Sequence, residues 1–369
     1  MVTINALILC IKFMGGNIMN ETAKLTIAVL FGGKSTEHEV SCISAYSVLK
    51  NIDKDKFNIK MIGITKDGDW IPYYGSVEDI KSCKWDVART AKGPVAGIQA
   101  IDDCDVVFPV LHGLNGEDGT IQGMLELTDK PYVGCNVLAS VLGMDKAYSK
   151  IIFKDAGIPQ CKHIVINRKE ILNSIDACIE RTEDDIGYPC FIKPSNSGSS
   201  VGVYKCRNRD ELVNALNEAQ KLDRRVLIEV FVKGREIECA VLGNDDVKVA
   251  IPGEIIPSKD FYDYEDKYLS GTSVCKIPAD LSENKIEEVK DLAAKAYKAL
   301  DCSGLSRVDF FYVEEKGQFL LNEINTLPGF TEISMYGRMW QASGITNSEL
   351  LTKLIELAII RKQESKREF

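Results

Sequence analysis

Ser306 to Phe330 reads SRVDFFYVEEKGQFLLNEINTLPGF, two alternating apolar arms around a short turn at Glu314 to Gly317, with acids and an amide where a buried hairpin would carry apolar residues. If Val313 pairs with Phe319, antiparallel arithmetic sets Asp309 opposite Glu323 and Arg307 opposite Asn325, all on one face. Opposed side chains in such a ladder lie roughly 5 Å apart at Cβ, so two carboxylates and a carboxamide crowd one end of it. Two readings stay open on these residues alone. One is a surface salt-bridge cluster around Arg307. The other is a Mg²⁺ site, because hard cations take oxygen ligands and sit between carboxylates and substrate phosphates.

The chain has 369 residues, enough for two or three domains with a sizeable core. A hydrophobic fraction of 45% and a charged fraction of 27% are ordinary for a globular protein. A net charge of -9 and a pI near 5.2, with no basic block, argue against a nucleic-acid partner. Any phosphate site must therefore be local. The 12 cysteines are scattered, form no C-x-x-C, and read as reduced, mostly buried thiols of a cytoplasmic protein. The apolar stretch NALILCIKF is far short of the roughly 18 residues of a membrane span, so no membrane partner is expected. Residues 1–22 read as an unmatched N-terminal extension, with Met14 or Met19 as alternative starts.

From Lys24 the pattern is strand, Gly-rich turn, helix (LTIAVLFGG, then STEHEVSCISAYSVLKNI), and the strands FNIKMIGIT and CDVVFPVLHG follow, which reads as an open α/β unit. Gly33, Lys34 and Ser35 mimic the end of a P-loop, but Ala28 stands where its first glycine is required. A second unit opens at MDKAYSKIIFKDAGIPQ, and a third at RRVLIEVFVKGREIECAVLG. In the third, ENKIEEVKDLAAKAYKAL presents Ile286, Val289, Leu292, Ala293, Ala296 and Leu300 as a packing stripe.

Several segments carry candidate chemistry. In FIKPSNSGSSVGV, Lys193 ends a strand and a Gly/Ser loop follows, whose N–H groups and hydroxyls suit a phosphate; a plain linker is the alternative. Lys146, in MDKAYSK, is a weaker second cationic candidate that, judged by itself, reads as a solvated helix residue. LIEVFVKGREIE places Glu229, Glu236 and Glu238 around two apolar strands joined by Lys233 and Gly234, suited to a nucleotide base or to a charged hairpin rim. His112 precedes a Gly-rich turn carrying Glu117 and Asp118; a satisfied structural histidine is the usual case there, and a functional one the alternative. DFYDYEDKYLSGTSV, Asp260 to Val274, has the composition of a lid. Gly329 and Ser334 lie one loop beyond the acidic hairpin, where backbone N–H groups could face an oxyanion.

FGGKSTEHEVS, LHGLNGEDGTIQG, MDKAYSK, IKPSNSGSSVGV, FYDYEDKY, SRVDFF and NEINTLPGFTEIS occur in the order and spacing of the D-alanine:D-alanine ligases of the ATP-grasp superfamily, and the chain resembles that family from about Lys24 to its end. The resemblance implies an α/β protein with a three-domain ATP-grasp fold: an N-terminal open α/β substrate domain at 23–144, a central subdomain at 145–228 and a C-terminal subdomain at 229–369. It implies a cytoplasmic homodimer that uses ATP to phosphorylate one D-alanine and then couples a second, for peptidoglycan synthesis.

By matching position, the resemblance implies that Asp309, Glu323 and Asn325 hold two Mg²⁺ or Mn²⁺ ions. Lys146, Lys193 and Ser200 would meet ATP phosphates, Glu229 with the backbone of Phe231 and Val232 the adenine, and Glu236 the ribose. Glu37 would bind the ammonium of the first D-alanine, with His112 nearby. Arg307 and the N–H of Gly329 would stabilise the tetrahedral oxyanion. Ser199, Tyr268 and Glu37 would couple lid to substrate, while Lys267 and Ser334 would address the transferring phosphate and the second carboxylate. Lys267 and Tyr268 with Ser334 and Met335 favour D-alanine as second substrate; D-serine or D-lactate, as in glycopeptide-resistance variants, is the alternative. Gly337 departs from the family, whose members often carry proline there.

Overall fold

The computed structural model describes residues 24–86, 95–256 and 274–366. The extension at 1–22, Lys267, Tyr268 and all of the expected lid except Val274 lie outside these residues.

Three sheets are built in chain order. Strands β1 (Leu25–Gly32), β2 (Phe57–Ile64), β3 (Trp70–Tyr73) and β4 (Val106–Pro109) form the first, in the order β3-β2-β1-β4, with β1 parallel to both β2 and β4. Strands β5 (His163–Asn167), β6 (Cys190–Pro194), β7 (Tyr204–Cys206) and β8 (Arg225–Val230) form the second, antiparallel and ordered β5-β8-β6-β7. The third holds β9 (Arg235–Gly243), β10 (Lys248–Val249), β11 (Gly253–Ile256), β12 (Val274–Lys276), β13 (Gly304–Val313) and β14 (Gln318–Asn325). Its order is β12-β11-β9-β13-β14, with β10 beside β9.

Period-2 alternation decides where each strand's side chains go. On β1, Ile27, Val29 and Phe31 face one core while Ala28 and Leu30 face another. On the third sheet, Ala240, Leu242 and Leu305 enter the same core as Ile27 and Phe31, together with the helices Met335–Ala342 and Asn347–Glu364. The opposite face, with Ile237, Cys239 and Val308, packs against Val289, Ala293 and Ala296 of the helix Glu283–Ala299, as its apolar stripe requires. The first and third sheets thus share one apolar layer. The second keeps a separate core around Ile192, Leu216 and Ile228.

Three sequence expectations shift. The central sheet extends through Val230 of β8, past the expected boundary at 228, and Phe153 of the helix Lys146–Asp155 is buried in the third sheet's core rather than the second's. Apolar periodicity shows that a segment is buried without showing against what. The second shift is that β8 and β9 are not a hairpin: they lie in different sheets, so residues 231–234 cross between them. The third concerns the opening hairpin, where Val313 pairs with Gln318 rather than Phe319. The register changes between Asp309 and Phe310, Asn322 is the extra residue, and Asp309 therefore does face Glu323, with Arg307 facing Asn325.

Candidate active site

Glu238 on β9 lies opposite Asp309 on β13, which lies opposite Glu323 on β14. A row of three carboxylates crosses three adjacent strands. Arg307 offsets their repulsion. Its guanidinium is bidentate to Asp309, 2.7 Å at both oxygens, and Nε is 3.2 Å from Glu238 Oε2. The amide of Asn325 donates to Asp309 over 3.1 Å.

Arg307 thus makes the expected ion pairs, but on a mostly buried face rather than a solvated surface, and they do not exclude the metal reading. Asp309, Glu323 and Asn325 offer only hard oxygen donors apart from the amide nitrogen, a set that fits Mg²⁺ once the amide turns its oxygen inward. Among the described residues no group of three His, Cys, Asp or Glu side chains is closed around one point.

The Gly/Ser loop after β6 is tied to its neighbours at both ends. Lys146 Nζ donates to the Ser197 carbonyl over 2.8 Å and lies 3.5 Å from Glu323 Oε2, so it joins loop to hairpin. Its side chain is only 14% exposed, correcting the solvated reading. The backbone N–H of Lys146 and Ala147 donate to Ser195, whose hydroxyl donates to Asp145, the N-cap of that helix. Ser199 and Ser200 are both left-handed, at φ 49 and 59, a conformation that costs a non-glycine residue about 1 kcal/mol or more and persists where a site needs it. This shape lets Ser199 donate to Glu37 of the first unit.

Glu37 precedes the helix His38–Asn51 and is buried. Its N–H donates to Ser35 Oγ, which donates in turn to the His112 carbonyl. The Gly-rich turn before it serves packing, since a Cβ on Gly32 would strike the Ile64 carbonyl and His38.

His112 is buried and fully bonded. The Phe330 N–H donates to Ser44 Oγ, the Ser44 hydroxyl lies 2.9 Å from His112 Nε2, and Nδ1 lies 3.2 Å from the Leu327 carbonyl. Only the Nδ1–H tautomer satisfies all three. Burial holds the ring's pKa down to about 4, so it is neutral at physiological pH. Both ring nitrogens are used to fix the loop that carries Gly329. Ser334 then holds the N-cap position of the helix Met335–Ala342 without a side-chain bond to the helix, its hydroxyl lying 2.7 Å from that of Thr331.

At the crossing between sheets, Glu229 is buried between two lysines, 2.6 Å from Lys150 Nζ and 2.5 Å from Lys193 Nζ. Burial alone would raise its pKa; the two ammonium charges overcome this and hold it well below the usual range. Lys193 also lies 3.3 Å from Asn322 Oδ1 at the hairpin bulge. The Phe231 N–H donates to the Pro189 carbonyl over 3.1 Å, and Phe231 and Val232 line the cavity.

All of these elements meet in one cavity of about 490 Å³, within the range that holds small-molecule ligands. It is lined by Glu37, His112, Lys146, Lys193, Ser199, Ser200, Glu229, Phe231, Val232, Glu236, Arg307, Asp309, Glu323, Asn325, Gly329 and Ser334. Every expected site residue inside the described segments is among them.

Lys150 and Asn322 go unnoticed in the sequence, and Glu117 and Glu238 appear there only beside other candidates, with no role of their own. Lys150 follows Lys146 at i+4, a signal that could have found it. Glu238 needs the β9 register, and Asn322 needs the bulge.

Glu117 lines the cavity, and its Oε1 accepts the Gly113 N–H over 2.9 Å. Burial, then the nearby Glu37 charge, push its carboxyl up to about 8. An acid so raised keeps a proton that the unfolded chain has released, so stability falls as pH rises from the ordinary carboxylate range to about 8. Glu117→Gln keeps the acceptor and cannot ionise. Thermal melts should show the variant gaining at least about 3 °C on wild type at pH 8.5 and little at pH 5. Parallel pH slopes for the two proteins would count against this assignment.

The model of the family described as "D-ala D-ala ligase N-terminus" matches residues 26–135, and that described as "D-ala D-ala ligase C-terminus" matches 152–356. A D-alanine–D-alanine ligase of Acetivibrio thermocellus is 52% identical, over 94% of this chain and 99% of the relative; one from Clostridium novyi is 51% identical, over 92% and 99%. Among solved structures, the VanG D-Ala:D-Ser ligase of Enterococcus faecalis superposes with a TM-score of 0.82 at 40% identity, covering 91% of this chain and 100% of that one. The D-alanine-D-alanine ligase of Coxiella burnetii gives 0.81 at 37%, covering 92% and 95%. The sheets, the cavity and these matches over nearly the whole length agree: the chain belongs to the D-alanine–D-alanine ligase family, with its ATP-grasp fold.

Proposed function

We propose that the protein joins two D-alanines into D-alanyl-D-alanine at the expense of ATP, through D-alanyl phosphate, as a cytoplasmic homodimer supplying peptidoglycan precursors. The observation that carries this reading is the convergence, in one cavity, of an anionic pocket on the first unit, two lysines on the second and the carboxylate row on the third.

Glu37 accepts the ammonium of the first D-alanine and orients its carboxylate toward the γ-phosphate. Lys146, Lys193 and Ser200 hold the phosphates, while Glu229 with the backbone of Phe231 and Val232 holds adenine and Glu236 the ribose. Asp309, Glu323 and Asn325 would hold two Mg²⁺ or Mn²⁺ ions, which when bound neutralise charge along the transferred phosphoryl group. Arg307 and the Gly329 N–H receive the oxyanion as the second amine attacks. Ser334, at a helix N-terminus, takes the second carboxylate. Lys267 addresses the transferring phosphate, and Tyr268 closes the set with Ser199 and Glu37. Among the described residues no helix is long and apolar enough to cross a membrane.

The likeness to the VanG enzyme keeps a D-serine-adding ligase as the second reading. Met335 after Ser334 adds no charge to the second subsite, which favours D-alanine. Incubation with ATP, Mg²⁺ and D-alanine, with and without D-serine or D-lactate, followed by mass identification of products, tests both. The expected product is D-alanyl-D-alanine, with D-lactate essentially unused; a higher kcat/KM for D-serine than for D-alanine as second substrate would overturn it.

A further inference from the structure

Glu229 carries one ammonium on each oxygen, and the two lysines differ in freedom. Lys193 lines the cavity and also lies 3.3 Å from Asn322 Oδ1 at the hairpin bulge. Lys150 is 1% exposed, and its carbonyl is held by Gln160 Nε2 at 3.0 Å. The other groups facing Glu229 add no compensating charge. His163, opposite it on β5, has its pKa lowered by burial, with Nδ1 3.1 Å from the Cys161 carbonyl. Cys161 is pushed up to about 11 by burial and is neutral. Phe191 faces Glu229 from β6.

When a nucleotide draws Lys193 toward its phosphates, Glu229 keeps a counter-charge only through Lys150. A buried carboxylate with none takes up a proton, since its pKa climbs as far as about 8–9. The two forms read opposite base edges. The ionised carboxylate accepts from the exocyclic amine of adenine and repels the O6 of an oxo purine, whereas the protonated form donates and tolerates O6.

We propose that Lys150 is a positioning residue that keeps Glu229 an ionised acceptor for adenine while Lys193 serves the phosphates, and so makes the site choose an amino purine over an oxo purine. This rests on the reading that Glu229 meets the nucleobase.

The test compares kcat/KM for ATP with that for ITP from about pH 6 to about pH 9, in wild type, Lys150→Met, Lys150→Arg and Glu229→Gln. The wild-type and K150R ratios should stay flat. In K150M the ratio should fall at least about tenfold at the acid end and recover as pH rises, because one pH unit below a carboxyl's pKa leaves about a tenth of it ionised. A purely structural lysine would lower both nucleotides alike at every pH. E229Q should show the low ratio throughout.

If E229Q keeps the wild-type ratio, Glu229 does not read the base and the proposal falls with that reading. If E229Q loses the ratio while folded K150M keeps it flat, only the role of Lys150 is overturned. Should K150M fail to melt cooperatively, K150Q carries the same test. Calorimetry of wild type with a non-hydrolysable ATP analogue, in buffers of differing ionisation enthalpy and with E229Q as reference, should show no proton taken up by Glu229. Uptake of about one proton would overturn the proposal without any variant.

Discussion

Glu323→Gln should lower turnover by at least about a hundredfold, the scale on which removing one preorganised electrostatic contact acts, while leaving a cooperative melt. The substitution removes one negative charge from a row of three and changes no volume. Its ion pair with Lys146 spans 3.5 Å and is partly exposed, so its loss should cost stability no more than about 1 kcal/mol. The effect should therefore fall on catalysis. D-alanine-dependent ADP release against Mg²⁺ concentration is the measurement, and excess Mg²⁺ should restore part of the rate if the carboxylate is a ligand. A rate within about twofold of wild type would leave the hairpin with a purely structural role, since context scatter alone reaches that size.

Gly113→Ala should be nearly as damaging, for a different reason. Gly113 has φ 68, and a Cβ placed there would collide with Glu37 Oε2. Alanine must strain the backbone or push the Glu37 carboxylate away, toward the Ser199 loop it already bonds. The expected result is a loss of about a hundredfold in kcat/KM for D-alanine, the scale on which small displacements of positioned groups act. Nucleotide affinity, which the proposed function assigns to Glu229 and Lys193 on another sheet, should change little. Initial rates against D-alanine at saturating ATP, with direct titration of an ATP analogue, separate the two. A D-alanine response like that of wild type would show that Glu37 does not need its present position.

The acidic hairpin was legible because side-chain alternation has a period of two, and any even shift preserves which residues share a face. The single bulge was invisible for a related reason. Val313 pairing with Gln318 is one residue off at the turn, and Asn322 restores the register before the carboxylates are reached. Glu238 could not be placed from the hairpin alone, since its partner strand is sixty residues away in the chain and pairs by topology. The crossing at 231–234 left a hairpin rim open beside a nucleotide-base platform because two apolar strands joined by a short polar link look the same whether they pair or part. Lys150 was overlooked because a lysine in a basic helix ordinarily reaches solvent; only the packing of β8 against that helix turns it inward. The packing stripe of Glu283–Ala299 and the loop after Lys193 were legible because helical spacing and Gly/Ser composition are local properties.

The apolar layer shared by the first and third sheets sets which parts of the chain can be exchanged. Phe330, close behind the loop carrying Gly329, meets Phe108 edge-on with ring centroids 5.8 Å apart and Tyr336 at 5.9 Å. A change of shape at Phe108, more than two hundred positions upstream, is thus transmitted to the loop that carries Gly329. In a chimera of two relatives, the first and last segments must come from the same parent or repack together. The central sheet, with its own core, can be swapped as a cassette provided Lys193, Glu229 and the Ser199 loop keep their partners.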